Sequence, residues 1–60
     1  MLIPQGDWIV VVRAFRDVTG RGQIRKQGLT EADAKYIATQ EKEACIQAGL
    51  HIWAMHKSDY

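Results

Sequence analysis

Apolar and polar residues alternate along only part of this chain. In one segment, the residues at both odd and even positions are apolar. Residues 7–15 read Asp-Trp-Ile-Val-Val-Val-Arg-Ala-Phe, and after Asp7 only Arg13 interrupts the apolar run. A strand with one solvated face alternates, whereas a strand buried on both faces reads as a continuous Val/Ile run. The pattern therefore predicts a strand over residues 8–16 that is covered on both sides.

The rest of the chain predicts a hairpin, a helix and a third strand. Gly20 is placed in a turn over 17–22, where it takes a left-handed backbone. Residues 23–27 are polar apart from Ile24 and predict a charged edge strand that Gly28-Leu29 breaks. Thr30 predicts a capped helix start, and Gly49 predicts its stop just after about Ala48. Residues 50–57 form the last predicted strand.

This order, β-β-α-β, predicts an α+β fold in which a three-stranded sheet carries one helix on one face. We expect one domain over residues 1–60, with a flexible lead-in over 1–6 and a tail over 58–60. A right-handed crossover would place the last strand parallel to the first and beside it, so that the first strand is central.

The helix is predicted to cover one particular side of the sheet. We assign it to the face with Val10, Val12, Ala14, Ile52 and Ala54, here called the helix-side face. A three-residue turn places Ile24 across from Ala14 on this face, whereas a two-residue turn places Ile24 opposite Phe15.

On the helix, the positions expected to face the sheet are mostly small: Ala34, Ile37, Ala38, Ala44, Cys45 and Ala48. Glu41 falls among them. Because an unpaired buried charge is costly, we expect its carboxylate to reach solvent or to meet an arginine of the sheet. A catalytic role for Glu41 would need a second catalytic group, and the pattern offers none.

The other side of the sheet, here called the second face, is predicted to bind a protein partner. It combines Trp, Met and Arg with an apolar centre, which is typical of interface hot spots. Arg25 or His51 would lie at its edges, and a homodimer through this face is possible. The alternative is that residues 1–6 and the tail cover it. The predicted partner-binding residues are Ile9, Val11, Arg13, Phe15, Trp53 and Met55.

Charge supports an alternative partner, DNA or RNA. The net charge is only +1, but the segment 13–26 holds Arg13, Arg16, Arg21, Arg25 and Lys26 against Asp17 alone. These five side chains would carry nucleic-acid binding, with an affinity that falls steeply with salt. A solvated, charged hairpin is the simpler interpretation.

Residues suited to catalysis or metal binding are sparse. Cys45 is the single cysteine, which excludes an internal disulfide and favours a cytoplasmic location. With it, His51 and His56 would be the best zinc ligands, but five residues apart in one strand the two histidines point to opposite faces. Ser58 is the single serine, so no Ser-His-Asp set exists. We expect no metal, no cofactor, no membrane span and no enzyme activity.

The order of the predicted elements resembles that of two known kinds of protein. With Leu29-Thr30-Glu31-Ala32-Asp33-Ala34 opening the helix and Ile52-Trp53-Ala54-Met55 in the last strand, the chain resembles very small bacteriophage proteins that inhibit host machinery. The inhibitor of bacterial RNA polymerase and some anti-CRISPR proteins are of this kind. The resemblance implies a stoichiometric inhibitor or adaptor without a cofactor, acting on a host protein complex.

The second resemblance belongs to the nucleic-acid alternative. Arg16-Asp17-Val18-Thr19-Gly20-Arg21 at the turn and Thr30-Glu31-Ala32 at the helix start are similar to the arm-binding domain of tyrosine recombinases. Those domains place a three-stranded sheet in the major groove of DNA. Here the third predicted strand follows the helix, whereas the arm-binding domain completes its sheet first, so protein binding ranks above DNA binding.

Overall fold

The computed structural model describes residues 6–60 and confirms the predicted α+β fold and the element order β-β-α-β. Residues 1–5 of the predicted lead-in lie outside the described part. The elements are β1 (Trp8–Ala14), β2 (Gln23–Leu29), α1 (Glu31–Gln47), β3 (Leu50–His56) and a single 3₁₀ turn (Lys57–Asp59). Within the described residues, no helix is long and apolar enough to span a membrane.

The sheet order is β2-β1-β3, so β1 is central as predicted. Both neighbours of β1 run antiparallel to it, and the prediction of a parallel last strand is wrong. The crossover helix fixes the direction of β3 relative to the strand that precedes the helix, which is β2. Since β1 lies between these two parallel strands, it is antiparallel to both.

The two strand pairs differ in regularity. β1 and β3 pair residue for residue, from Trp8 opposite His56 to Ala14 opposite Leu50. The pairing of β1 with β2 shifts twice, because β2 carries an extra residue on each side of Lys26. Gly28, at φ 72°, lies in one of these bulges. The predicted break at Gly28-Leu29 is therefore wrong, and β2 continues through a bulge to Leu29.

The hairpin connection is longer than either turn considered in the sequence. β1 ends at Ala14, where the backbone N–H of Asp17 donates to the Ala14 carbonyl at 3.0 Å, and residues 15–22 connect the strands. The positive-φ glycine in this connection is Gly22, not Gly20. Ile24 consequently lies opposite Val11, on the second face, and its predicted place across from Ala14 is wrong.

The helix is capped as predicted. Thr30 Oγ1 accepts from the Asp33 backbone N–H at 3.2 Å, and Gly49 follows the C-cap residue Ala48 with φ 77°. α1 lies mainly over β3, with fewer contacts to β1. Ile52 and Ala54 line a groove with helix residues, which confirms the choice of the helix-side face.

The small-residue stripe is buried unevenly, because the helix is offset toward one edge of the sheet. Ala34 and Cys45 are fully buried, so Cys45 is the core residue that its position predicted. Ile37 and Ala38 are half-buried, whereas Ala44 and Ala48 remain exposed.

The chain end crosses the second face. The Lys57 backbone N–H donates to the Asp7 carbonyl at 2.7 Å, and the 3₁₀ turn then reverses the chain. The Tyr60 hydroxyl donates to the Gly22 carbonyl at 2.7 Å, 38 residues away in sequence. Ile9 and Ile24 lie with Tyr60 around one cavity on this side. Of the alternative in which residues 1–6 and the tail cover the second face, the tail therefore reaches part of that face, and residues 1–5 lie outside the described part.

Candidate protein-binding surface

The structure divides the six predicted partner-binding residues into a buried and an accessible group. Ile9 and Val11 are 2% and 0% exposed, so they belong to the core and cannot contact a partner. Arg13, Trp53 and Met55 are half-buried, and Phe15 is 42% exposed. The alternation of apolar residues placed all six residues on the second face. It did not show that the tail reaches only part of that face.

The regular pairing of β1 with β3 brings the accessible group together. Val11 lies opposite Trp53 and Arg13 lies opposite His51, so these side chains are cross-strand neighbours on the second face. Directly paired residues in an antiparallel ladder have Cβ atoms only about 4.5–5.5 Å apart. His51, which the sequence placed at the edge, therefore joins the surface.

Trp53 is the centre of this surface and is fixed by two neighbours. Its indole Nε1 lies 3.3 Å from Met55 Sδ, a weak hydrogen bond between residues on the same side of β3. The Arg13 guanidinium carbon lies 5.8 Å from the centroid of the Trp53 ring, within the range of a cation–π interaction. The indole is thus held in place while part of its surface stays accessible.

Phe15 and His51 extend the surface toward the hairpin. Their ring centroids are 4.4 Å apart with the planes tilted by 54°. The Phe15 backbone N–H donates to the Gly49 carbonyl at 2.9 Å, which fixes the end of β1 against the turn before β3. We call the surface formed by Arg13, Phe15, His51, Trp53 and Met55 the aromatic patch.

Arg13 supplies the charge of the aromatic patch. Its Nη1 reaches the Gly20 carbonyl only at 3.4 Å, and its Nε is buried without a hydrogen-bond partner, the one such side-chain atom among residues 6–60. No carboxylate of the described residues forms an ion pair with it. The guanidinium charge is therefore without an ion-pair partner among residues 6–60, and its accessible N–H groups can donate to a carboxylate from outside.

The five basic residues of the nucleic-acid alternative are distributed over both sides of the sheet. Arg25 Nε contacts Glu41 Oε1 of the helix at 2.7 Å, as expected for a sheet arginine facing that carboxylate. Arg21 stacks on the Tyr60 ring at 5.2 Å, and Arg13 lies on the aromatic patch. Arg16 and Lys26 remain exposed. The structure does not gather the five side chains on one surface.

The possible metal ligands are also separated. Cys45 is buried in the helix, His51 contacts Phe15 on the second face, and His56 contacts Trp8 on the other side at 6.1 Å between ring centroids. Among the described residues no three His, Cys, Asp or Glu side chains lie close enough together to hold a metal ion.

Sequence reasoning missed one residue that shapes the surface, Tyr60. It was assigned to a tail, yet its hydroxyl donates to the Gly22 carbonyl and it lines a cavity with Ile9 and Ile24 on the β2 half of the second face, where Ile24 stays 40% exposed. The only available signal was an aromatic residue at the end of a polar segment, and this does not indicate where the ring packs.

Comparisons of the chain with protein-family models, curated proteins and solved structures find no match. No residue role is therefore transferred from another protein. The candidate surface depends on the geometry of β1, β3 and the chain end alone.

Proposed function

We propose that this chain is a small non-enzymatic protein-binding module that docks on its partner through the aromatic patch. The observation that carries the proposal is the half-buried Trp53, held between Arg13 and Met55 on the side of the sheet opposite the helix. Tryptophan and arginine are among the residues most enriched at the energetic centres of protein interfaces.

The aromatic side chains of the patch are also held in place by their neighbours before a partner binds. Trp53 and Phe15 are each in contact with a neighbouring side chain, so ordering them on binding costs little additional entropy. Phe15 presents the most exposed apolar surface of the patch, and Arg13 brings a charge without an acidic partner among the described residues. These features favour a partner surface on which a protruding apolar side chain lies next to a carboxylate.

The small size and the β-β-α-β layout support a role as a stoichiometric inhibitor or adaptor of the bacteriophage type, acting on a host protein complex. Such a protein works by occupying a surface and needs no cofactor. A module of this kind requires one exposed patch on a rigid scaffold, and the regular β1–β3 pair supplies that scaffold.

Phe15→Asp tests the proposal, with Val18→Asp as the matched control. Both side chains are exposed and apolar, but Val18 lies in the hairpin connection outside the patch. The immobilised wild-type chain is used to isolate a cytosolic partner, and its affinity for each variant is then measured by titration calorimetry. Phe15→Asp is expected to weaken binding at least about tenfold, equivalent to about 1.4 kcal/mol. Val18→Asp is expected to bind like the wild type.

The nucleic-acid alternative is tested in the same experiment. Arg16→Glu combined with Lys26→Glu reverses two exposed charges that form no ion pair among the described residues. If the chain binds DNA or RNA, this double variant loses affinity for the nucleic acid, whereas Phe15→Asp keeps it. That result, or equal affinity of Phe15→Asp and Val18→Asp for the isolated protein, would contradict binding through the patch.

A further inference from the structure

The two edges of the sheet differ in how accessible they are to another strand. β2 has two register shifts, a positive-φ glycine at Gly28, and the charged residues Arg25 and Lys26. Bulges and charges of this kind are the usual protection of an edge strand. β3 has none of these features: it pairs regularly with β1 over its whole length, and its outer edge has no strand partner within residues 6–60.

A groove follows the outer edge of β3 on the side of the helix. Its volume is about 340 Å³, and its floor is apolar because Ile52 and Ala54 point into it from the strand. The helix contributes the opposite wall. Lys35, Ala38, Thr39, Lys42, Ile52 and Ala54 line the groove, and none of these is acidic.

The charges at this groove favour an acidic occupant. Lys42 forms no ion pair with any described residue. Lys35 Nζ lies 2.6 Å from Glu31 Oε2, but this pair is exposed and therefore contributes little to stability. The Lys35 ammonium also lies 5.5 Å from the centroid of the Trp8 ring, so Lys42 is the more available of the two exposed lysines.

We propose that the outer edge of β3 accepts an extended acidic segment of the partner protein as a fourth strand. Backbone hydrogen bonds to the free edge supply affinity, and alternate side chains supply specificity. One set of the segment's side chains, which includes the acidic residues, faces Lys35 and Lys42. The other set faces the side of β3 that carries Trp53 and Met55. This inference rests on the proposed protein-binding function and adds the shape and charge of the bound segment.

A second copy of this chain fits the edge less well than an acidic segment. A twofold pairing of β3 with β3 is isologous, so each copy presents the same surface to the other. Lys35 and Lys42 of both copies would then line one shared seam, where like charges repel. The groove is therefore better suited to a different protein.

The experiment uses a synthetic peptide with the length of β3 in which glutamate and valine alternate. Its binding to the full-length ¹⁵N-labelled chain is followed by NMR titration. Amide shifts are expected along β3 and at Lys35 and Lys42. Lys35→Glu combined with Lys42→Glu is expected to weaken binding at least about tenfold. Arg16→Glu combined with Lys26→Glu, which also reverses two exposed charges but away from β3, is the control and is expected to remain within about twofold of the wild type.

Three results would overturn the proposal: no shifts along β3, equal loss with the Arg16→Glu and Lys26→Glu control, or equal binding of a peptide that alternates lysine and valine. The last two would indicate bulk electrostatics or unspecific adhesion. The partner isolated in the Phe15→Asp experiment separates this proposal from the proposed function. If that partner loses affinity with Phe15→Asp but binds the double lysine variant normally, the aromatic patch remains the binding surface and strand addition fails.

Discussion

At the scale of single residues, the contact between Arg25 and Glu41 joins the edge strand β2 to the helix. The atoms are 2.7 Å apart, and the side chains are 48% and 29% exposed. Exposed pairs of this kind stabilise a fold by about 0–1 kcal/mol. We therefore predict that a double-mutant cycle with Arg25→Ala and Glu41→Ala gives a coupling energy below about 1 kcal/mol in urea unfolding, and that salt reduces it further.

A third substitution shows whether Glu41 is retained for stability. Its neighbours on the sheet-facing stripe are apolar, and Ile37, Ala38 and Cys45 are each at least half-buried. Because the Arg25 side chain is 48% exposed and stays solvated without Glu41, and leucine adds apolar contact at this position, Glu41→Leu is expected to leave the unfolding free energy unchanged or to raise it. A coupling energy above about 2 kcal/mol, or strong destabilisation by Glu41→Leu, would contradict this view of the pair.

At the scale of elements, the start of α1 depends on one side chain. Thr30 Oγ1 accepts the Asp33 backbone N–H, whereas the hydroxyl of Thr39 donates to the Lys35 carbonyl inside the helix at 2.9 Å. Loss of an N-cap threonine costs about 1 kcal/mol, but alanine is a better helix former than threonine in the interior. Thr30→Ala is expected to lower the unfolding free energy by about 1 kcal/mol, and Thr39→Ala to leave it unchanged or slightly raised.

Circular dichroism during urea unfolding checks both substitutions. Equal destabilisation by the two variants would show that the cap is not the dominant interaction at Thr30. Thr39→Ala also changes the wall of the β3 groove, so its unaltered stability would make it a suitable background for peptide titrations.

Elements with a local signal were predictable from the sequence, and relations between elements were less so. The cap at Thr30, the stop at Gly49 and the double-sided apolar run of β1 each depend on neighbouring residues. The face of Ile24 depends on the length of the connection, and the faces of the residues after it depend on two bulges that no residue pattern of β2 indicated. A single slip moves every side chain to the other face, so an error in register changes which residues form a surface.

The candidate surface was likewise predictable only where it depends on local alternation. Trp53, Met55, Arg13 and Phe15 were predicted together because alternation in two paired strands fixes a shared face. Ile9 and Val11 were predicted with them by the same rule but are buried, and the chain end that brings Tyr60 to the cavity beside Ile9 makes a contact across 38 residues. Such a contact is set by tertiary packing, which composition and periodicity do not encode.

At the scale of the whole molecule, the tail adds packing to a fold whose core is small. The buried side chains among residues 6–60 are Ile9, Val10, Val11, Ala34 and Cys45. Domains of this size have thin margins of stability, so the packing of Tyr60 at the cavity beside Ile9 and Ile24 matters to the fold. Removing it exposes apolar surface that a second copy can cover.

We therefore predict that the wild-type chain remains a monomer of 6.8 kDa in a light-scattering concentration series, at low and at high salt. Tyr60→Ala is expected to be less stable and to self-associate as concentration rises, also at high salt, because association through apolar surface is not screened by ions. Tyr36→Ala removes an exposed tyrosine from the helix and serves as the control that stays monomeric. A salt-insensitive wild-type dimer would show instead that the second face is used for self-association despite the tail, and the β3 edge would then be the remaining surface for another protein.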